Sequence, residues 1–110
     1  MVDMEIKDLT SKMNEFVAAK GWYDPDSPKP QTVRSLAISL TIEAAEVLEH
    51  LQWAEHPADQ EEFAQELADV ALYLLQLAHV SGIDLEAAIL NKLAINHQRQ
   101  WNKPDQKIDE

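Results

Sequence analysis

Cysteine is absent from the 110 residues, which excludes disulfides and thiolate-held metals and fits an ordinary cytosolic setting. Glycine occurs only twice, so a glycine-rich phosphate loop cannot be built and Walker-type nucleotide enzymes are excluded. Basic residues number nine against twenty acidic ones, a formal net charge of -11. Such a chain has no basic surface to displace counterions from DNA or RNA, so nucleic acid is not an expected partner. No unbroken apolar run is long enough to span a bilayer. The opening stretch, MVDMEIKDLTSKMNEF, lacks the apolar segment of a signal peptide. Together these absences predict a soluble, cytoplasmic protein with no membrane partner.

What is present is helical periodicity. Ile6, Leu9, Met13, Phe16 and Val17 recur at helical spacing and predict a first helix over residues 4–20, ended by Gly21. A loop rich in proline follows, Asp24 to Pro30, where regular structure is forbidden. A second helix is predicted from Arg34 to about Glu55. Pro57 breaks the chain and can open a third helix that runs to about Val80, with Gly82 just beyond it. Asp84 is a plausible N-cap for a fourth helix, from Leu85 to about Trp101. No stretch alternates like a strand. The expected class is all-α, four helices with short connections, in one domain over residues 1–103, followed by a polar, disordered tail over residues 104–110. At 45% hydrophobic residues a core is available, but a chain this short buries more by pairing with a copy of itself.

The informative residues are acidic ones on the rim of apolar faces. On the second helix Leu36, Leu40, Ala44, Val47, Leu48 and Leu51 form the predicted stripe, and Glu43 and Glu46 flank it. On the third the stripe is Phe63, Leu67, Val70, Leu74 and Leu77, with Glu66 and Asp69 at its border and Tyr73 on nearly the same line. Residues three apart are neighbours on a helix surface. Four carboxylates converging between two antiparallel helices would cost on the order of several kcal/mol unless protonated or neutralised. A hard divalent cation with oxygen ligands neutralises them, and magnesium completes its shell with water and phosphate oxygens. A single acidic pair at this spacing is most often a solvated face. Two such pairs on successive helices, both on the apolar rim, favour a metal site suited to phosphoryl chemistry. Neither pair has a histidine at the Glu-x-x-His offset, which argues against a di-iron bundle protein. The rival reading is a non-enzymatic acidic helical interaction protein, which leaves the two pairs to chance.

The stretch Ile42-Glu43-Ala44-Ala45-Glu46-Val47-Leu48-Glu49, followed by Glu66-Leu67-Ala68-Asp69-Val70, resembles the paired acidic motifs of the MazG-like nucleoside triphosphate pyrophosphohydrolases. Phe16 to Trp22, Leu51-Gln52-Trp53, Tyr73 and Asn91 to Asn96 resemble the short dCTP-pyrophosphatase-type branch of that family. The resemblance implies an all-α bundle that forms a homodimer or a homotetramer built as a dimer of dimers, with sites drawn from more than one subunit. It implies that Glu43, Glu46, Glu66 and Asp69 bind magnesium, with manganese as a substitute, and that one glutamate helps activate water. It further implies that Trp22 and Trp53 enclose a base, while Tyr73, Lys92 and Asn96 surround the sugar and phosphates. The implied reaction splits a nucleoside triphosphate, dCTP or a modified pyrimidine deoxynucleotide, into a monophosphate and pyrophosphate, as in cleansing of nucleotide pools. The chain departs from the family pattern at Ile42, where a second glutamate is common. It departs again at Lys29-Pro30-Gln31-Thr32-Val33, where the dCTP branch commonly carries a histidine and a proline.

The supporting residues also have plain readings. Trp22 follows a helix-ending glycine at an exposed position, whereas Trp101 reads as packing. Lys92 and Asn96 lie one turn apart beside Leu85, Ile89 and Leu93, where a lysine can simply reach water and an asparagine can bond a sugar or base. Lys29 and Arg34 suit either a phosphate or solvent. His50 reads as a hydrogen-bonded neighbour of the acidic pair, since magnesium prefers oxygen.

Overall fold

A computed structural model describes residues 4–99, and among them it contains four α-helices and no strand. Helix α1 spans Ile6–Ala19, α2 Val33–Glu49, α3 Gln60–Val80 and α4 Leu85–Gln98. Trp101 and the predicted tail lie outside the described residues. Each helix start is held by a side chain close to where sequence places it. Thr32 and Ser35 exchange reciprocal 3.0 Å hydrogen bonds at the start of α2, the arrangement that satisfies two otherwise orphaned backbone donors. Asp59 caps α3 by accepting from the Glu62 amide, and Asp84 caps α4 by accepting from the Ala87 amide, each at 3.1 Å.

Two predicted boundaries are corrected. The second helix stops at Glu49, not near Glu55. Beyond it the chain tightens into shorter-range bonds, from the His50 amide to the Val47 carbonyl and from the Leu51 amide to the Leu48 carbonyl, as helix ends do. The third helix begins at Gln60, past Pro57, because Asp59 supplies the capping carboxylate that proline lacks.

Gly21 and Gly82 carry positive φ, +75° and +70°, and each makes the same two-bond helix stop. After α1 the Gly21 amide donates to the Ala18 carbonyl and the Trp22 amide donates to the Val17 carbonyl. This pattern needs a left-handed residue, which glycine adopts without a Cβ penalty. Its consequence is positional: the chain doubles back and Trp22 packs against the core of Met13, Val17 and Leu75.

Helix α3 is the hub. It packs against α2 most extensively and against α1, while α4 rests on α1. Gln31, just before α2, bonds Gln76 late in α3, and His50, just after α2, meets Phe63 and Glu66 early in α3. The two helices are therefore antiparallel.

The inward stripes are rotated from their predicted setting. Leu36 is fully buried, and Leu40, Val47, Phe63, Val70 and Leu77 are at least half-buried. Ala44, Leu48, Leu67 and Leu74 are exposed, and their places facing the partner helix go to Glu43, Glu46, His50 and Glu66. On α4 only Leu85 of the expected stripe is half-buried, and Ile89 and Leu93 are exposed.

Candidate active site

Antiparallel packing of α2 on α3 brings the glutamates together. One carboxylate oxygen from each of Glu43, Glu46 and Glu66 lies within 4.8 Å of the others. All three side chains are half-buried, and Glu43 Oε2 and Glu66 Oε2 are buried with no hydrogen-bond partner. Desolvation, then the neighbouring Glu46 carboxyl, then the charges of Asp69 and Glu66, push the Glu43 carboxyl up to about 7. Glu66 is also raised, first by desolvation and then by Glu46, and His50 partly opposes the rise. His50 Nε2 stands 4.0 Å from Glu66 Oε1 and edge-on to the Phe63 ring, centroids 5.5 Å apart.

Unpartnered buried carboxylate oxygens are costly. Hard oxygen donors in a half-buried pocket of excess negative charge suit a divalent cation of the magnesium type. The donor set therefore fits such an ion, with Glu43, Glu46 and Glu66 as its holders. Asp69 is one turn further along α3 and exposed. It stands outside the three-residue group but close enough for its charge to act on Glu43 and Glu66.

Asp69 also lines a cavity of about 750 Å³ between α1, the loop before α2, α2 and α3, within the size range of small-molecule sites. Leu9, Phe16, Trp22, Leu72 and Tyr73 give it apolar and aromatic walls, and Lys12 and Lys29 bring positive charge. Phe16 and Trp22 meet edge to face with centroids 5.7 Å apart, and the Lys29 ammonium lies 5.0 Å from the Trp22 ring centre. Leu9, Phe16 and Leu72 are each 45% exposed or more, because they face this cavity. At the end remote from the glutamates, Gln31 and Gln76 join the lining, and Gln76 Nε2 donates to Gln31 Oε1 at 2.6 Å.

A model of the MazG-like family matches residues 38–109, a span that holds both acidic pairs. The chain belongs to the MazG-like family. A pyrophosphatase from Archaeoglobus fulgidus superposes with a TM-score of 0.70 at 32% identity, covering 89% of this chain and 94% of that one. A Bacillus subtilis protein shares the fold at a TM-score of 0.67 and 21% identity, covering 91% of this chain and all of that one. Among relatives by sequence, the dCTP pyrophosphatase 1 of Rattus norvegicus is 30% identical over 86% of this chain and 58% of its own length. The dATP/dGTP diphosphohydrolase of Salmonella phage PMBT28 is 36% identical over 76% of this chain and 25% of its own. The chain thus spans between a quarter and about three fifths of these two curated relatives.

Within this MazG-like chain the residues singled out from sequence divide into two groups. Glu43, Glu46, Glu66, Asp69, Trp22 and Tyr73 gather at the cluster or the cavity. Trp53, Lys92 and Asn96 do not line the cavity. Trp53 sits beyond the end of α2 and is 90% exposed. Lys92 is exposed and Asn96 half-buried on α4.

Lys12, Ser39, Gln31 and Gln76 line the cavity and were not anticipated as site residues. A signal existed for Gln76. It lies seven residues after Asp69 on the same flank of α3 and is one of the few polar residues in the apolar run from Val70 to Val80.

Proposed function

We infer that this protein hydrolyses a nucleoside triphosphate to a monophosphate and pyrophosphate with a divalent cation, magnesium, held by Glu43, Glu46 and Glu66 and assisted by Asp69. One observation carries the reading: three clustered, half-buried carboxylates, two with orphaned buried oxygens, feel the charge of Asp69, which lines an aromatic-walled cavity large enough for a nucleoside. The metal, when bound, polarises phosphate oxygens and lowers the pKa of water. The chain's own residues do the rest. Trp22, Phe16 and Tyr73 offer flat apolar surface to a base, and Lys12 and Lys29 offset phosphate charge at the cavity. A glutamate oxygen left unused by the metal can accept a proton from the attacking water. Deoxynucleotides are the favoured substrates by kinship, dCTP or modified pyrimidines foremost, with removal of unwanted nucleotides from the pool as the purpose.

The active form is proposed to be a homodimer or a dimer of dimers. Ile83, Leu90 and Leu93 on or beside α4, and Ile42 and Leu48 on the outer side of α2, are each more than half exposed. An apolar surface of this extent is what an obligate interface covers. Pairing gives Trp53, Lys92 and Asn96 a route to the site of a neighbouring subunit.

The test is a product assay on purified protein with each NTP and dNTP, with magnesium and with chelator. Equimolar monophosphate and pyrophosphate, abolished by chelator, is the expected result. A folded protein that turns over no nucleotide would leave the acidic interaction protein as the better reading.

A further inference from the structure

The cavity is polar at both ends, and only one end is acidic. Gln76 is 96% buried on α3, with a relative exposure of 4%, and lies seven residues beyond Asp69. That places it about 10 Å along the helix axis, comparable to the reach of a nucleotide from its phosphates to the edge of its base. The orientation of its amide is dictated by a chain of hydrogen bonds that begins at a backbone carbonyl. The Lys29 carbonyl can only accept, so the Gln31 group facing it at 2.6 Å is the amide nitrogen. Gln31 must then turn its oxygen the other way, and the Gln76 group bonded to that oxygen must be its nitrogen. With its nitrogen committed to Gln31, Gln76 has its carbonyl oxygen, an acceptor, left for a ligand in the cavity that it lines.

We propose that Gln76, oriented by Gln31, is a specificity-determining residue that selects bases carrying an amino group over their keto counterparts. The proposal rests on the nucleotide reading of the site. A fixed acceptor receives a hydrogen bond from the exocyclic amine of cytosine or adenine. The carbonyl at the same place in uracil or hypoxanthine meets it oxygen to oxygen. A buried polar group denied its partner discriminates strongly. Gln31 is a positioning residue: without it the Gln76 amide can rotate and present N–H instead.

The test compares kcat/KM for dCTP against dUTP, and for dATP against dITP, in the wild type, Gln76→Met and Gln31→Leu. For whichever base size the cavity takes, the amino form should be favoured by about 10- to 100-fold. Both variants should bring the ratio to within about threefold of one, through KM more than kcat. A wild-type ratio near one, or a ratio unmoved in Gln76→Met, would overturn the proposal. Calorimetric binding of dCMP and dUMP, and of dAMP and dIMP, which needs no catalysis, separates this failure from failure of the hydrolase reading. If no triphosphate is turned over, tighter binding of dCMP than dUMP, or of dAMP than dIMP, that is lost in Gln76→Met still supports the amide device. Equal binding within both pairs, or no binding of any, overturns it.

Discussion

The inner face of the α2–α3 pair and the outer side of α2 with α4 are opposites of what a monomeric helical protein needs. Inside, where leucines should interlock, Glu43, Glu46 and Glu66 lie half-buried within 4.8 Å of one another. Outside, where charge should meet water, Ile42, Leu48, Leu90 and Leu93 are more than half exposed. Burying the charge raises Glu43 to about 7, and exposing the leucines forgoes burial of about 25 cal/mol per Å² of apolar surface. Neither arrangement helps a single chain alone in water. Each would become favourable with what is proposed above: a divalent cation within, a second copy without. Residues at odds with the fold of a single chain are the first places to look for its function.

The largest effect expected is on the inner face. Glu66→Gln keeps the shape of the side chain but removes a charge from the cluster, and turnover should fall by more than about 100-fold, beyond what loss of a merely orienting group costs. Circular dichroism should remain helical. Retained activity would show that the buried carboxylates serve some other purpose. On the outer side, Leu90→Glu places charge in the proposed interface. Sedimentation should show the assembly reduced to monomers, with activity falling alongside if Trp53, Lys92 and Asn96 act across subunits. An unchanged mass would mean that α4 is not the contact.

A smaller effect is expected in the pH dependence of stability. A glutamate whose folded pKa exceeds its unfolded value binds more protons when folded. Its contribution is full below about 4.5 and is lost as pH rises through about 7. The melting temperature of the chelated protein should therefore fall between pH 5 and pH 8, and Glu43→Gln should flatten that fall. Magnesium should restore more stability at pH 8 than at pH 5, because the ion competes with protons for the same oxygens. A melting temperature that rises across this window would contradict the burial of charge.

Much of this was legible before any coordinates. Four helices follow from the apolar spacing and from capping residues such as Asp84 and glycines such as Gly21 and Gly82. The two acidic pairs stand out because they flank apolar stripes. The direction in which those stripes face was less legible. A wheel turns the most apolar arc of a helix inward, so Leu48, Leu67 and Leu74 were expected inside. The observed rotation trades them for Glu43, Glu46 and Glu66, a choice that apolar spacing alone does not predict and that the proposed cation would account for. The end of α2 was misjudged because apolar periodicity continues through Leu51 while the backbone is already unwinding at His50. Gln31 and Gln76 went unnoticed because their meaning depends on a contact spanning 45 residues.

The most direct test of the central claim is a manganese titration of the full-length protein followed by electron paramagnetic resonance, in the wild type and in Glu66→Gln. The account predicts saturable binding in the wild type, stronger as pH rises through 7, and largely lost in the variant. Equal, weak binding in both proteins would mean that the buried carboxylates do not hold a metal ion, and the proposed active site would fall with them.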